Sequence, residues 1–285
     1  MERARFWTRR VIWLLTAAAL IVPMLVRIRL PMFPSSPARK LYRAVEAIPP
    51  DKIMVISTSW EPGTYGENGL QTEALIRHAF ESNKRFAIFG WIYPPGPELG
   101  QNIAEGLAKR YHKRYGVDWV NWGYRPGYAD MIRGWAKDIR AIVSTDAYGT
   151  PIGMLPVMKG VHTADDIGLM VEITPTDSIG TLVQFVYGVH RTPLGYAPTG
   201  VMAAEAYALL DSGQVVGLLR GLVGAAEYED LLRHRGEAYR RMIPQSFAHA
   251  LIILLVILGN VLYLLGRRQG EETPTEVQGE QRAGD

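Results

Sequence analysis

Apolar positions fall into two patterns along this chain. Two long stretches, one near each end, are apolar all round. Val11 to Val26, VIWLLTAAALIVPMLV, supplies about 16 apolar residues, lengthened by Phe6 and Trp7, and Ser246 to Leu265 supplies about 20, the length that crosses a bilayer core. Pro23 near the end of the first is tolerated there as a kink. Between them, near-continuous apolar runs at Lys52–Ser59, Arg85–Ile92, Val117–Trp122, Ile167–Ile173 and Pro193–Ala197 read as strands covered on both faces. They alternate with stretches whose apolar residues recur every three to four positions: Leu70–Ser82, Gln101–Tyr115, Tyr128–Val143, Ser178–Tyr187 and Val201–Leu210. Five strand-helix alternations without a hairpin signal predict an α/β fold, a doubly wound, mostly parallel five-stranded sheet, Rossmann-like or flavodoxin-like, with a transmembrane helix at each end.

The remaining stretches set the boundaries. Residues 1–30 read as an N-terminal signal anchor; a secretory signal peptide, with the same basic start and apolar core, is the rival reading, but no small-x-small cleavage site follows the core before Arg27. In residues 31–50, Ser36 is a candidate N-cap, Pro37 a first-turn residue, and Leu41, Val45 and Ile48 share one face, which predicts a linker helix closed by Pro49 and Pro50. The α/β domain covers 51–212 and contains a long irregular piece from Ser144 to Asp166, a length usually tied to function or to covering something. In the juxtamembrane region 213–242, Gly213, Gly217, Gly221 and Gly224 recur at helix-turn spacing. Such a stripe suits close approach of a partner helix, or a tight bend on the chain's own sheet. The second span occupies 243–266 with Asn260 in its interior, where an amide usually faces another helix. The polar, acidic tail 267–285 has the composition of a disordered segment.

Charge changes the picture of partners. The chain carries a formal +3, yet residues 51–232 hold 15 Lys and Arg against 20 Asp and Glu. The positive excess lies beside the apolar segments, among them Arg9, Arg10, Arg27, Arg29, Arg240, Arg241, Arg267 and Arg268. That distribution fits a bilayer with anionic headgroups and argues against nucleic acid. Arg3, Arg5, Arg9 and Arg10 at the start favour termini in the cytoplasm and an extracytoplasmic domain. Without cysteine there is no disulfide frame, thiolate metal site or cysteine nucleophile.

Recognised catalytic patterns are missing. The loop after the first strand, SWEPGTYGENG, lacks GxGxxG spacing, and neither GxxxxGK[ST] nor GxSxG occurs. His78, His112, His162, His190, His234 and His249 show no metal-ligand spacing, so neither a metal nor a cofactor is expected. In an open parallel sheet the ligand crevice lies beyond the carboxyl ends of the strands. Ligand-binding candidates there are Trp60, Tyr65, Asn68, Tyr93, Asn121, Tyr124, Asp146 and Asp177, with Glu67, Thr174, Thr176 and Thr199 nearby in sequence. Acids, amides and tyrosines with little positive charge suit a small polar ligand and suit a phosphorylated one poorly. Glu61 and Glu172 are the pair of carboxylates that could serve as acid and base.

Several stretches together, TDAYGTP, LPVMKGV, VNWGYRPG, SGQVVGLLRGLVGAAEYE and IPQSFAHALIILL, carry a resemblance. Over most of its length the chain resembles an uncharacterised family of bacterial and archaeal membrane proteins with an α/β domain between terminal hydrophobic segments. The resemblance implies the architecture and the order of segments, and no catalytic residues. The expectation is a membrane-anchored α/β module within a membrane protein complex, through other membrane proteins or self-association. The alternative is a membrane-associated hydrolase or transferase using Glu61 and Glu172.

Overall fold

The computed structural model describes residues 2–26, 28 and 30–271. It divides into two compact units. One is Leu30–Met242, and the other joins Met1–Arg29 to Ile243–Asp285. Arg27, Arg29 and residues 272–285, most of the expected tail, lie outside the described residues.

The domain is built on a parallel sheet of six strands: β1 (Ile53–Thr58), β2 (Phe86–Gly90), β3 (Trp119–Tyr124), β4 (Ile167–Thr174), β5 (Leu194–Pro198) and β6 (Gly217–Leu218). Their order across the sheet is β3-β2-β1-β4-β5-β6, and every pairing is parallel. The sixth strand corrects the expected five; it is two residues long and lies in the region read as helical. Helices in chain order are α1 (Glu2–Leu25), α2 (Ser36–Glu46), α3 (Leu70–Glu81), α4 (Gly96–Tyr111), α5 (Tyr128–Lys137), α6 (Ile139–Ile142), α7 (Ile179–Leu182), α8 (Gly188–His190), α9 (Ala203–Asp211), α10 (Gly221–Leu231) and α11 (Glu237–Glu271).

Strand parity sorts the core into two layers. Val55, Phe89, Trp122, Met170 and Tyr196 face one side, where Met131 and Trp135 of α5, Ile139 of α6, Leu182 of α7 and Ala206 of α9 cover them. Met54, Ile56, Ile88, Val171 and Ile173 face the other, under Leu41 of α2, Leu75 of α3, Leu107 of α4 and Tyr228 of α10. Every residue of β1 is buried. The expected linker helix α2 is thus part of the layer that covers this face of the sheet.

Local chemistry explains where the elements depart from the expected bounds. Helix α4 starts at Gly96, five residues before Gln101, because prolines are tolerated in a first turn. The expected helix Tyr128–Val143 breaks at Asp138, which turns extended (φ −151°, ψ 97°) and caps α6, its carboxylate accepting from the Arg140 and Ala141 amides. Within Ser144–Asp166 the chain makes three short 3-10 turns that place Ile152, Val157 and Met158 in the core.

The four glycines read as one stripe fall in three different local structures. Gly213 (φ +74°) turns the chain after α9, Gly217 is in β6, Gly221 (φ +50°) begins α10, and Gly224 lies in its first turn. Gly217, Gly221 and Gly224 are buried, and the close approach they permit is to this chain. A Cβ on Gly217 would lie 2.4 Å from the Leu41 backbone nitrogen of α2, and one on Gly224 would lie 2.6 Å from the Leu219 backbone.

Two helices are long and apolar enough to cross a membrane: α1, through Thr8–Leu25 with mean hydropathy 1.5, and α11, through Glu237–Leu265 with 2.4. Many of their apolar side chains are exposed, Trp13 at 70% and Ile253 at 60% among them, whereas Ala238, Tyr239, Met242 and Ile243 at the start of α11 are buried. Asn260 is exposed too and donates to the Val256 carbonyl one turn back, at 2.9 Å.

Overpacking a closed site costs about 1–3 kcal/mol, so Gly217→Ala should lower the apparent melting temperature of the detergent-solubilised chain by about 2–12 °C. Its oligomeric state should not change. Size-exclusion light scattering alongside the melt checks both; a changed assembly with unchanged melting would return Gly217 to an intermolecular role.

Candidate functional site

Successive strands run outward from β1 to β3, and the chain then crosses back to lay β4 on the other side of β1. This reversal is a topological switch point, where loops diverge on opposite faces and leave a crevice beyond the strand ends. Three connections meet there. After β1 the chain makes a 3-10 turn at Pro62–Thr64 and a π-turn at Tyr65–Gly69 before α3. Residues 175–178 follow β4, and Thr199 with a 3-10 turn at Gly200–Met202 follows β5.

Glu172 of β4 is the centre of this region. It is paired in register with Ser57 of β1 and Tyr196 of β5, so all three share the face covered by α5 to α9. Its side chain is 0% exposed. The Ser178 hydroxyl donates to Oε1 at 2.7 Å, and the Trp91 indole N–H donates to Oε2 at 3.3 Å. The Ser57 and Ser59 hydroxyls lie 3.2 Å from each other beside it. Burial pushes the Glu172 carboxyl up to about 7, a rise that hydrogen bonds from Ser57, Ser178, Trp91 and Ser59 hold back. Burial also raises the Tyr196 phenol, and the charges of Glu172 and Asp177 push it the same way. The Tyr196 hydroxyl donates to the Thr176 carbonyl at 3.0 Å, and the Thr174 and Thr176 hydroxyls are 2.9 Å apart.

A second polar seam closes the loops of β1 and β5 over the end of β4. Glu67 Oε2 accepts from the Gly200 amide at 2.6 Å. Asn68 Nδ2 donates to the Ala197 carbonyl (3.3 Å) and to Gln71 Oε1 (2.9 Å), while Gln71 Nε2 donates to the carbonyls of Pro198 and Leu219 (2.9 Å each) and Gly221 (3.2 Å). Two buried oxygens on this seam have no hydrogen-bond partner: Asn68 Oδ1 and Thr199 Oγ1.

The other sequence candidates have mostly structural partners. Trp60 is buried on the opposite face and donates to Thr72 Oγ1 at 3.1 Å, with Tyr65 packed edge-on against it. Asn121 is held on all sides, donating to the Pro97 carbonyl and Gln101 Oε1 and accepting from the Gly123 amide. Asp146 shapes its own turn, accepting from the amides of Tyr148 and Thr150 and from the Tyr115 hydroxyl. Tyr93 and Tyr124 are half-buried at the ends of β2 and β3, and Asp177 is exposed. Glu61 is exposed ahead of the Pro62–Thr64 turn, and its carboxylate has no hydrogen-bond partner among the described residues, so it does not share the Glu172 cage.

Sequence reading missed Ser57, Ser59, Trp91, Ser178 and Tyr196. The spacing of Ser57 and Ser59, two apart on the final residues of an otherwise apolar run, was the available signal. It missed a buried relay as well: His78 of α3 lies 2.7 Å from the Tyr228 hydroxyl of α10 and 2.7 Å from Glu46 Oε1 of α2, stacked on Tyr42. Burial lowers the His78 pKa against the pull of Glu46. Among the described residues no group of His, Asp and Glu is arranged to hold a metal.

The titration of Glu172 has a defined sign. A folded pKa of about 7 against 4.5 unfolded makes the native state the stronger proton binder, so its contribution is full below pH 4.5 and is lost as pH rises through 7. Glu172→Gln should remove a decline of about 3 kcal/mol across that window. Urea unfolding of both proteins from pH 4.5 to 8 measures the difference; parallel curves would show that the carboxyl titrates normally.

Compared with known proteins, the chain matches no family model, no curated protein and no solved structure. What stands of the resemblance is its order of segments along the chain, one apolar helix before and one after a parallel α/β domain.

Proposed function

We propose that this chain is a membrane-anchored α/β module that binds a small polar ligand at the carboxyl ends of its strands, as a component of a membrane protein complex. The observation that carries the ligand reading is Glu172, an ionisable group kept at the switch point with hydroxyls from β1 and from the turn after β4 around it. A carboxyl in such a cage is costly to bury, and a fold without use for it would place an apolar residue there. The membrane reading rests on the exposed apolar side chains of α1 and α11, and the complex on Asn260, an amide displayed on the apolar helix. The arginines in the first ten residues favour an extracytoplasmic domain.

A second reading, a membrane-associated hydrolase or transferase, draws on the same group. A carboxyl with pKa about 7 exchanges protons at neutral pH, as a general acid or base must. Glu61 would then have to reach substrate from an exposed position at the lip.

The test is a thermal-shift panel on the detergent-solubilised full chain with polyols, neutral amino acids, short peptides and small amines. A true ligand at one hundred times its Kd stabilises by about 2.7 kcal/mol, a shift of about 5–11 °C for a domain of this size. Ser57→Ala/Ser59→Ala should reduce that shift. If no compound class moves the melting temperature, the binding reading fails.

A further inference from the structure

The seam between the loops of β1 and β5 is rich in oxygen acceptors and poor in donors. Asn68 spends its Nδ2 on Ala197 and Gln71, which fixes the orientation of its amide and leaves Oδ1 as the unpaired atom. Asn68 is 0% exposed and Thr199 is 7% exposed. Thr199 lies two residues beyond Ala197, whose carbonyl Asn68 holds, and is still extended (φ −64°, ψ 162°). In extended chain its side chain falls on the same face as that of Ala197, about 7 Å further along. Glu67 adjoins Asn68 in sequence and grips the Gly200 amide next to Thr199. Glu67, Asn68 and Thr199 thus lie on two segments that the bonds to Gly200 and Ala197 tie together, with Asn68 Oδ1 and Thr199 Oγ1 unpaired and buried.

Among the described residues no Lys or Arg hydrogen-bonds to them; Arg220, which precedes Gly221 on the β6 side of the seam, is exposed and points no hydrogen bond at either oxygen. The segments following β1, β2, β4 and β5 (residues 58–69, 91–100, 174–181 and 198–207) contain no Lys or Arg. Arg241, whose guanidinium comes near Gly66, is bound to Glu237 at 2.7 Å. Buried unpaired acceptors are rare, and each calls for an explanation by something that donates. A primary ammonium carries three N–H donors and no acceptor, whereas a neutral hydroxyl offers one.

We infer that the ligand of the strand-end crevice carries a primary ammonium group, held by the Glu67 carboxylate, Asn68 Oδ1 and Thr199 Oγ1. This deepens the ligand-binding reading above and rests on it. The charge of Glu67 supplies the attraction, and the two unpaired oxygens select N–H groups over a methylated cation. The same headgroup chemistry occurs in a free amine and in an aminophospholipid.

Isothermal titration of the full chain with ethanolamine, and with ethylene glycol and choline as the neutral and N–H-free counterparts, tests it. Ethanolamine should bind, and the other two should be at least tenfold weaker, since a hydrogen bond to a charged group is worth that much in affinity. Thr199→Val should weaken ethanolamine about tenfold while leaving the ligand-free melting temperature unchanged or higher, because it replaces an unpaired buried hydroxyl by a methyl. Glu67→Gln keeps an acceptor for Gly200 and should abolish ethanolamine binding. Binding of ethylene glycol as tight as ethanolamine would sink the ammonium inference and leave the polar-ligand reading standing. Choline binding as well as ethanolamine, or Thr199→Val leaving the affinity unchanged, would sink the assignment of these oxygens. If neither ethanolamine nor the wider panel binds, both readings fall and water is the occupant of the seam. Nanodiscs with and without phosphatidylethanolamine, titrated with ethanolamine, separate the sources: competition supports a lipid headgroup, and its absence with ethanolamine binding intact supports a free amine.

Discussion

A sheet covered on both faces gives its strands no water, and every polar side chain inside it must find partners within the fold. β1 and β4, the two central strands, obey this strictly, being buried almost throughout. Polar residues appear on them only toward the carboxyl ends, at Ser57, Thr58, Glu172 and Thr174, where diverging loops can bring donors back. Ser178 returns from the turn after β4 and Trp91 from the end of β2 to serve one carboxyl. At the other face Gln71 alone binds three backbone carbonyls beyond β5 and β6, joining helix α3 to the strand ends that its own layer covers. The concentration of polar chemistry at one end of the domain follows from the layering.

The same economy of space shapes the other face. Leu41 of α2 lies against Gly195 and Gly217, positions where any Cβ would collide with it, so α2 sits closer to β5 and β6 than side chains normally allow. The relay from Tyr228 through His78 to Glu46 then fixes α2 to α3 and α10, and Ser82 and Lys84 hold the same turn of α2. Neutral His78 meets both partners with the hydroxyl donating to Nδ1 and Nε2–H donating to the carboxylate. At the end of the domain Glu229 accepts from the amides of Gly236, Ala238 and Tyr239, capping the first turn of α11, and the Tyr239 hydroxyl donates to the Leu30 carbonyl. Glu229 thus satisfies amides that a helix N-terminus leaves free, while the Tyr239 bond ties this helix to the first residue of the domain.

Periodicity made the layered sheet legible because central parallel strands and amphipathic helices write their burial directly into residue order. It failed where burial is brief. β6 is two residues long, and its glycine reads like the glycines around it, although Gly217 is there for α2 and Gly221 for a positive φ. Pro95 and Pro97 resemble loop in sequence, yet they are the N-cap and a first-turn residue of α4. At the site, Glu61 and Glu172 look alike in sequence, each near a strand end. Their difference is register: Glu172 is still paired with Ser57 and Tyr196 in the ladder, whereas Glu61 stands past the last paired residue of β1. Register between strands distant in sequence is a property of the assembled sheet, and a single chain of letters does not contain it.

Two polar clusters at neighbouring strand ends thus reach different states of completion. Around Glu172 the hydroxyls and the indole answer the carboxyl, and the remaining cost of burial is expressed as a raised affinity for a proton. Around Asn68 and Thr199 neither a proton nor a side chain answers, because an amide oxygen and a hydroxyl do not titrate in any useful range. A fold can hold the first arrangement indefinitely by protonation, whereas the second stays incomplete until a donor arrives from outside. The two clusters therefore differ in kind: one is a carboxyl that can exchange a proton, the other a pair of acceptors that no side chain of the described residues completes.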